Sequence, residues 1–188
     1  MDEKSKTDYI KIAALTHRSE PRFIWNGEYF WRINWQEVMI MLIPTSRPQA
    51  IARISGGVDA VGLTGTVTFY PMWGGTLVVA QVRGLPRGGD GIFALHIHDG
   101  SRCTGQAFAD TGGHFNPYTD PHPRHAGDLP PLFRCCGGRG YLAVATARFA
   151  VQDVIGRTVV IHSGPDDFRT QPAGNSGTKI ACGIIRRV

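Results

Sequence analysis

Long apolar runs are scarce in this sequence. The run VMIMLI, Val38 to Ile43, is far shorter than the about 20 apolar residues that a bilayer-spanning helix needs, so no membrane span is expected. The opening residues, MDEKSKTDYIKIAALTHRSEP, lack a basic segment followed by an unbroken apolar stretch and do not read as a secretory signal. Two compartments stay open: the cytoplasm for the chain as written, or an exported protein whose leader has been removed. Clusters of positive charge are missing too. The formal charge is +5, but Lys and Arg are scattered singly and the one dense pair is Arg186 and Arg187, so no nucleic-acid binding is expected. A modest positive field of this kind can instead draw in a small anion. Neither an internal repeat nor a low-complexity tract is found, and no segment shows convincing 3.6-residue periodicity.

What the chain has in quantity is glycine, 24 residues, with 12 prolines, which implies many turns and few long helices. At 188 residues the expectation is one domain with a hydrophobic core and a small appendage. Composition shifts near Ser46 to Pro48. Before it lies the aromatic stretch RFIWNGEYFWRINW, in which Asn26-Gly27 between β-formers is a two-residue hairpin signal. WQEVMIMLI follows, either a buried strand or a short helix, since a run this short cannot be settled by periodicity. Phe23, Trp25, Tyr29, Phe30, Trp31 and Trp35 are either a contact surface or packing against the rest. Residues 1–46 are therefore set apart as an N-terminal extension and 47–188 as the main domain.

From Gln49 onward short strands alternate with turns: QAIARIS, TGTVTFYPM, TLVVAQV, FALHIH, YLAVATARF, TVVIH and KIACGII. The expected fold is all-β, an antiparallel Greek-key barrel or sandwich of about eight strands. Two connections are long, Asp99 to about Arg139 and Ser163 to Thr178, and loops of that length in a small domain are usually functional or disordered. Six of the seven histidines lie in or beside them.

The segment HIHDGSRC opens the first of these loops. On a strand, His96 and His98 point the same way with Cα atoms about 6.6 to 6.8 Å apart, so both rings can grip one metal ion. His162 closes TVVIH and supplies a third imidazole if the two strand ends are neighbours. GGHFNPYTDPHPRHAGDL adds His114, His122, His125 and Asp128. Three histidines and one carboxylate make the four-coordinate set of a closed zinc site, while the all-nitrogen set His96, His98 and His162 suits copper as well as zinc. His114, at the entry to the loop, can offer one ring nitrogen to each ion as a bridge.

HIHDGSRC, GGHFNP, HAGDL, IGRTVVIH and GNSGTKIACGI resemble, in order and spacing, the motifs of the copper/zinc superoxide dismutases, particularly the bacterial branch. The resemblance spans about Gln49 to Val188 and leaves the first 45 or so residues outside. It implies copper on His96, His98, His114 and His162, zinc on His114, His122, His125 and Asp128, and superoxide disproportionation to dioxygen and hydrogen peroxide. All seven ligands are present, unlike in copper-only relatives or in dismutase-like proteins that have lost the copper set. The resemblance also implies that Asp166 links His96 to His122 by hydrogen bonds, and that Cys103 pairs with Cys182 in a disulfide, which suits a periplasmic or extracellular setting. Cys135 and Cys136 are outside the pattern, and reduced thiols are the expectation. Lys179 stands where the family usually has an arginine to guide superoxide to copper; it keeps the charge and loses the planar donor fork. A catalytically weak or silent metal-buffering module is the alternative function, and a hydrolytic zinc enzyme a third, for which the second ligand set is surplus. Family members dimerise in more than one way or not at all, leaving a homodimer as one option.

Overall fold

Strict alternation of burial along the first barrel strand shows how this sequence makes a sheet. In Ala50–Gly56, Ala50, Ala52 and Ile54 face the core and the residues between them face outward, the period-2 pattern of a strand with one wet face. In this computed structural model of the chain, the described residues are 24–25, 28–29, 47–87 and 89–188. The chain divides into two units, Met1–Ile43 and Pro44–Val188. In the first, β1 (Ile24–Trp25) pairs antiparallel with β2 (Glu28–Tyr29); Asn26 and Gly27 lie outside the described residues. WQEVMIMLI and the remaining aromatic residues of that stretch lie outside the described residues.

Eight strands close the barrel of the second unit: β3 (Ala50–Gly56), β4 (Thr64–Met72), β5 (Gly75–Arg83), β6 (Ile92–His98), β7 (Asp128–Cys135), β8 (Arg139–Thr146), β9 (Thr158–His162) and β10 (Lys179–Arg187). Their order around the barrel is β10, β3, β4, β5, β8, β7, β6, β9, and every pairing is antiparallel. β6, β7 and β8 form a meander, and β9 returns to lie beside β6, which is the Greek-key order. Closure leaves no sheet edge exposed. Leu63, Phe69, Leu95, Ile97, Leu132, Ile161 and Ile185 are fully buried inside. Among the described residues no helix is long and apolar enough to cross a membrane.

One strand escaped the sequence reading. DLPPLFRC, placed there within the long connection from Asp99 to Arg139, is β7. Proline lacks the N–H that a ladder requires, so two in a row argue against a central strand. The register explains their tolerance: Phe93 opposes Leu132 and Leu95 opposes Leu129, which leaves Pro130 and Pro131 together facing Ala94 in a bulge. The Ala94 N–H turns instead to the Gly164 carbonyl at 2.8 Å. The strand YLAVATARF is shorter than expected, since β8 ends at Thr146.

β6 and β9 depart from alternation, being buried on both faces. Phe93, Leu95, Ile97, Val159 and Ile161 point into the core. Their neighbours His96, His98 and His162 point outward and are nevertheless almost completely buried. The loops β6–β7 and β9–β10 cover that face, and the candidate site lies between barrel wall and loops.

Candidate metal centre

The histidines come from two neighbouring strands and the loop between β6 and β7. His96 and His98 share the outer face of β6, and His162 ends the adjacent β9. The loop after β6 folds back so that His114 bridges to His98, with Phe115 and Gly127 hydrogen bonded to both sides of Ile97. Asp128 opens β7 directly opposite His96. Two groups result, His96 with His98, His114 and His162, and His114 with His122, His125 and Asp128; within each group the ligand-type atoms lie within 4.8 Å of one another. His114 belongs to both, its ring 4.0 Å from that of His96 and 5.4 Å from that of His125, centroid to centroid.

The outer hydrogen bonds fix the tautomers. Carbonyls and carboxylates accept only, so the nitrogen facing one carries the proton and the opposite nitrogen keeps a lone pair. His98 Nδ1–H donates to the Gly112 carbonyl at 2.9 Å, and His162 Nδ1 faces Ser176 Oγ at 3.2 Å and the Gly177 carbonyl at 3.5 Å. The two Nε2 atoms then confront each other at 3.2 Å. Lone pairs at that separation repel unless a cation lies between the ligands. Asp166 receives His96 Nε2–H at 2.8 Å on one oxygen and His122 Nε2–H at 2.9 Å on the other. Left over are three buried ring nitrogens without a hydrogen-bond partner: His96 Nδ1, His114 Nε2 and His122 Nδ1. Among the described residues the one other buried side-chain atom in that state is Thr158 Oγ1; buried polar atoms usually find partners, and these three ring nitrogens all belong to the two groups, so the donor set fits a pair of metal ions.

Gly174 is where this arrangement demands glycine. It has φ +67°, and a Cβ there would run into the Asp166 carboxylate and His122 Nε2.

Electrostatics follow from burial. Desolvation drives His98 down to about 2 and His162 to about 3, outweighing their carbonyl partners, and also lowers His96. For Asp166 burial pushes up, but hydrogen bonds from His96, the Phe168 N–H and His122 prevail and bring it to about 2. Burial likewise raises Asp128, and the His114 hydrogen bond with the neighbouring rings brings it below the usual range. All three shifted imidazoles are neutral at physiological pH, the form that binds metal. A pH dependence follows for the metal-free protein. Between the ordinary histidine value near 6.5 and the depressed folded values, the unfolded chain binds more protons, so stability is present above that window and lost as pH falls through it. The melting temperature of metal-free protein is expected to be level from pH 8 to 7 and to fall steadily below about pH 6, each such ring costing up to about 1.4 kcal/mol per pH unit. A level melting temperature down to pH 4 would contradict this.

Lys179 begins β10 opposite His162. Its ammonium donates to Thr111 Oγ1 at 2.7 Å and to the Gly112 carbonyl at 2.9 Å, and partial burial lowers it from its ordinary value. Among the described residues it is the one lysine or arginine lining an open cleft of about 540 Å³ whose walls include His98, His114 and His162. Cys103 and Cys182 are joined in a disulfide, while Cys135 and Cys136 are free and exposed at the far end of β7.

Sequence reasoning did not find Thr111, Gly112, Ser176 or Gln171. Two of these act through a hydroxyl and one through a backbone carbonyl; Gln171 clamps the His122 backbone at both its N–H and its carbonyl. None carries a residue-type signal for metal chemistry.

Residues 63–185 match the family model for copper/zinc superoxide dismutase (SODC). The chain belongs to that family. A relative named superoxide dismutase [Cu-Zn] from Deinococcus radiodurans is 39% identical over 146 residues, covering 67% of this chain and 79% of its own length. Superoxide dismutase [Cu-Zn] 2 of Aquifex aeolicus is 36% identical over 126 residues, 60% of this chain and 72% of that protein. The copper chaperone for superoxide dismutase of Rattus norvegicus is 31% identical over 177 residues, covering 81% of this chain and 63% of the chaperone. Among solved structures, a superoxide-dismutase-like protein from Bacillus subtilis superposes with TM-score 0.61 at 26% identity, over 71% of this chain and 95% of that one. The clock protein EA4 gives TM-score 0.64 at 28% identity, over 76% and 97%.

Proposed function

We propose that this protein disproportionates superoxide to dioxygen and hydrogen peroxide, with copper held by His96, His98, His114 and His162 and zinc by His114, His122, His125 and Asp128. The observation that carries the reading is the single imidazole of His114 common to both groups, with its buried Nε2 unpartnered and its Nδ1 2.7 Å from Asp128. The all-nitrogen group suits copper, and the three-nitrogen, one-carboxylate group suits tetrahedral zinc. Bound copper would supply the one-electron chemistry, and zinc, which has none of its own, would hold the loop and tune the shared ring.

The chain supplies the rest. Lys179 draws the substrate anion into the cleft, an effect of charge that enhances association by about 10- to 1000-fold and fades with salt. His114 is placed to hold and hand over a proton at Nε2. Asp166 keeps His96 and His122 in one orientation each and strengthens both as donors to metal. The disulfide suits an oxidising compartment, periplasmic or extracellular.

Superoxide consumption by protein loaded with copper and zinc, compared with zinc alone, tests the reading. Copper-dependent consumption supports it. Tight copper binding without turnover would favour the metal-buffering alternative, which the chaperone relatives keep in view. Lys179→Ala is expected to lower kcat/KM about 10-fold and flatten its dependence on ionic strength, whereas Lys179→Arg retains the rate. Equal salt slopes for Lys179→Ala and the parent protein would remove Lys179 from the guiding role.

A further inference from the structure

Arg148 lies just beyond β8, belongs to neither ligand group, and points its guanidinium at the loop that carries the second one. Its Nη1, with two N–H groups, faces three backbone carbonyls, Pro123 at 3.1 Å, His125 at 3.0 Å and Asp128 at 3.3 Å, so one N–H is shared between two of them. The Arg148 backbone is itself tethered, its N–H donating to Thr146 Oγ1 at 3.2 Å. These carbonyls punctuate the segment from His122 to Asp128, which supplies three of the four candidate zinc ligands. The His122 end of the segment is gripped from the other side by Gln171, whose amide accepts the His122 N–H at 3.0 Å and donates to its carbonyl at 2.7 Å. Asp128 Oδ2 in turn accepts the His125 N–H at 3.0 Å, so a carbonyl clamp that fixes this turn also fixes the angle at which the carboxylate and the His125 ring face each other.

We propose that Arg148 is a positioning residue for the His114, His122, His125 and Asp128 group, holding its backbone against the barrel and so slowing release of a divalent cation from it. The inference rests on the metal-centre reading above. For an ion to leave, His125 or Asp128 must swing outward, and that motion breaks hydrogen bonds from a charged donor, each stronger than a neutral one. The guanidinium suits the task because it is permanently charged and rigidly planar, so the nitrogen that meets the three carbonyls is held in one place, whereas an ammonium turns on a flexible stem. Among the described residues no hydrogen bond of Arg148 reaches His96, His98 or His162, so its direct hold is on the second group.

The test uses the full chain loaded with copper and with cobalt or zinc in the second group. Release of the divalent ion to excess chelator is followed in parent protein, Arg148→Ala and Arg148→Lys, with the visible spectrum of bound cobalt reporting ligand geometry. Release from Arg148→Ala is expected to be about 10-fold faster, the scale of losing an outer partner of a metal ligand, with Arg148→Lys between the two and copper retention within about two-fold of the parent. Unchanged release from Arg148→Ala overturns the clamp while leaving the metal centre standing. Parallel acceleration of copper and divalent-ion loss, with a lowered melting temperature of the metal-free variant, also overturns it by showing a general packing role. Parent protein that takes up no second ion overturns the metal-centre reading itself, and the clamp with it.

Discussion

His114→Ala is expected to lower affinity for both metal ions together, by at least about 100-fold each, the upper end of what loss of an outer partner alone costs, and to reduce superoxide consumption to background. The reason is geometric. His114 is counted in both four-residue groups, so one substitution leaves two incomplete sets of three. The ring is also nearly buried, and its Nδ1 is the hydrogen-bond partner of Asp128 at 2.7 Å, so its loss frees the carboxylate that opens β7. His125→Ala provides the contrast: it belongs to one group and should empty that group while copper remains. Metal content after dialysis, measured for both variants, decides the matter. Loss of a single ion from His114→Ala would mean that the ring serves one site, and the dinuclear reading would fall.

The barrel was legible because its strands are short runs of β-forming residues set between turns. Short β-former runs between turn residues located seven of the eight, and the histidine spacing gathered the ligand candidates without reference to coordinates. What stayed hidden did so for identifiable reasons. β7 carries Pro130-Pro131, and only its register against Phe93 and Leu95 shows that a bulge absorbs both prolines; a linear pattern contains no register. The outer face of β6 is buried by loops some distance along the chain, so the near-complete burial of His96 and His98 shows only in the fold. Two of the groups that set the tautomers are backbone carbonyls, Gly112 and Gly177, and every residue has one. Arg148 gave no signal for the same reason, since its three acceptors are main-chain oxygens.

Removing the disulfide is expected to have the largest effect on stability. Cys103 and Cys182 are 79 residues apart in sequence with Cα atoms 5.7 Å apart, and the chain-entropy relation for a closed loop of that length gives about 4 to 5 kcal/mol. That corresponds to a folding equilibrium about a thousand-fold less favourable, and to a melting temperature lower by roughly 10 to 15 °C for a domain of this size. Cys103→Ser with Cys182→Ser, or reduction of the parent protein, should produce it, and calorimetry reads it. The consequence reaches the site. The bridge ties the start of the β6–β7 loop to β10, and farther along that loop Thr111 Oγ1 and the Gly112 carbonyl receive the Lys179 ammonium while the same carbonyl receives His98 Nδ1–H. Loosening the loop therefore frees the Lys179 ammonium and the His98 ring at once. At temperatures where the reduced protein is still folded, kcat/KM should fall in parallel with the loss of salt dependence, as in Lys179→Ala. A reduced, folded protein with unaltered kcat/KM and salt slope would show that the loop holds Gly112 in place by its own packing.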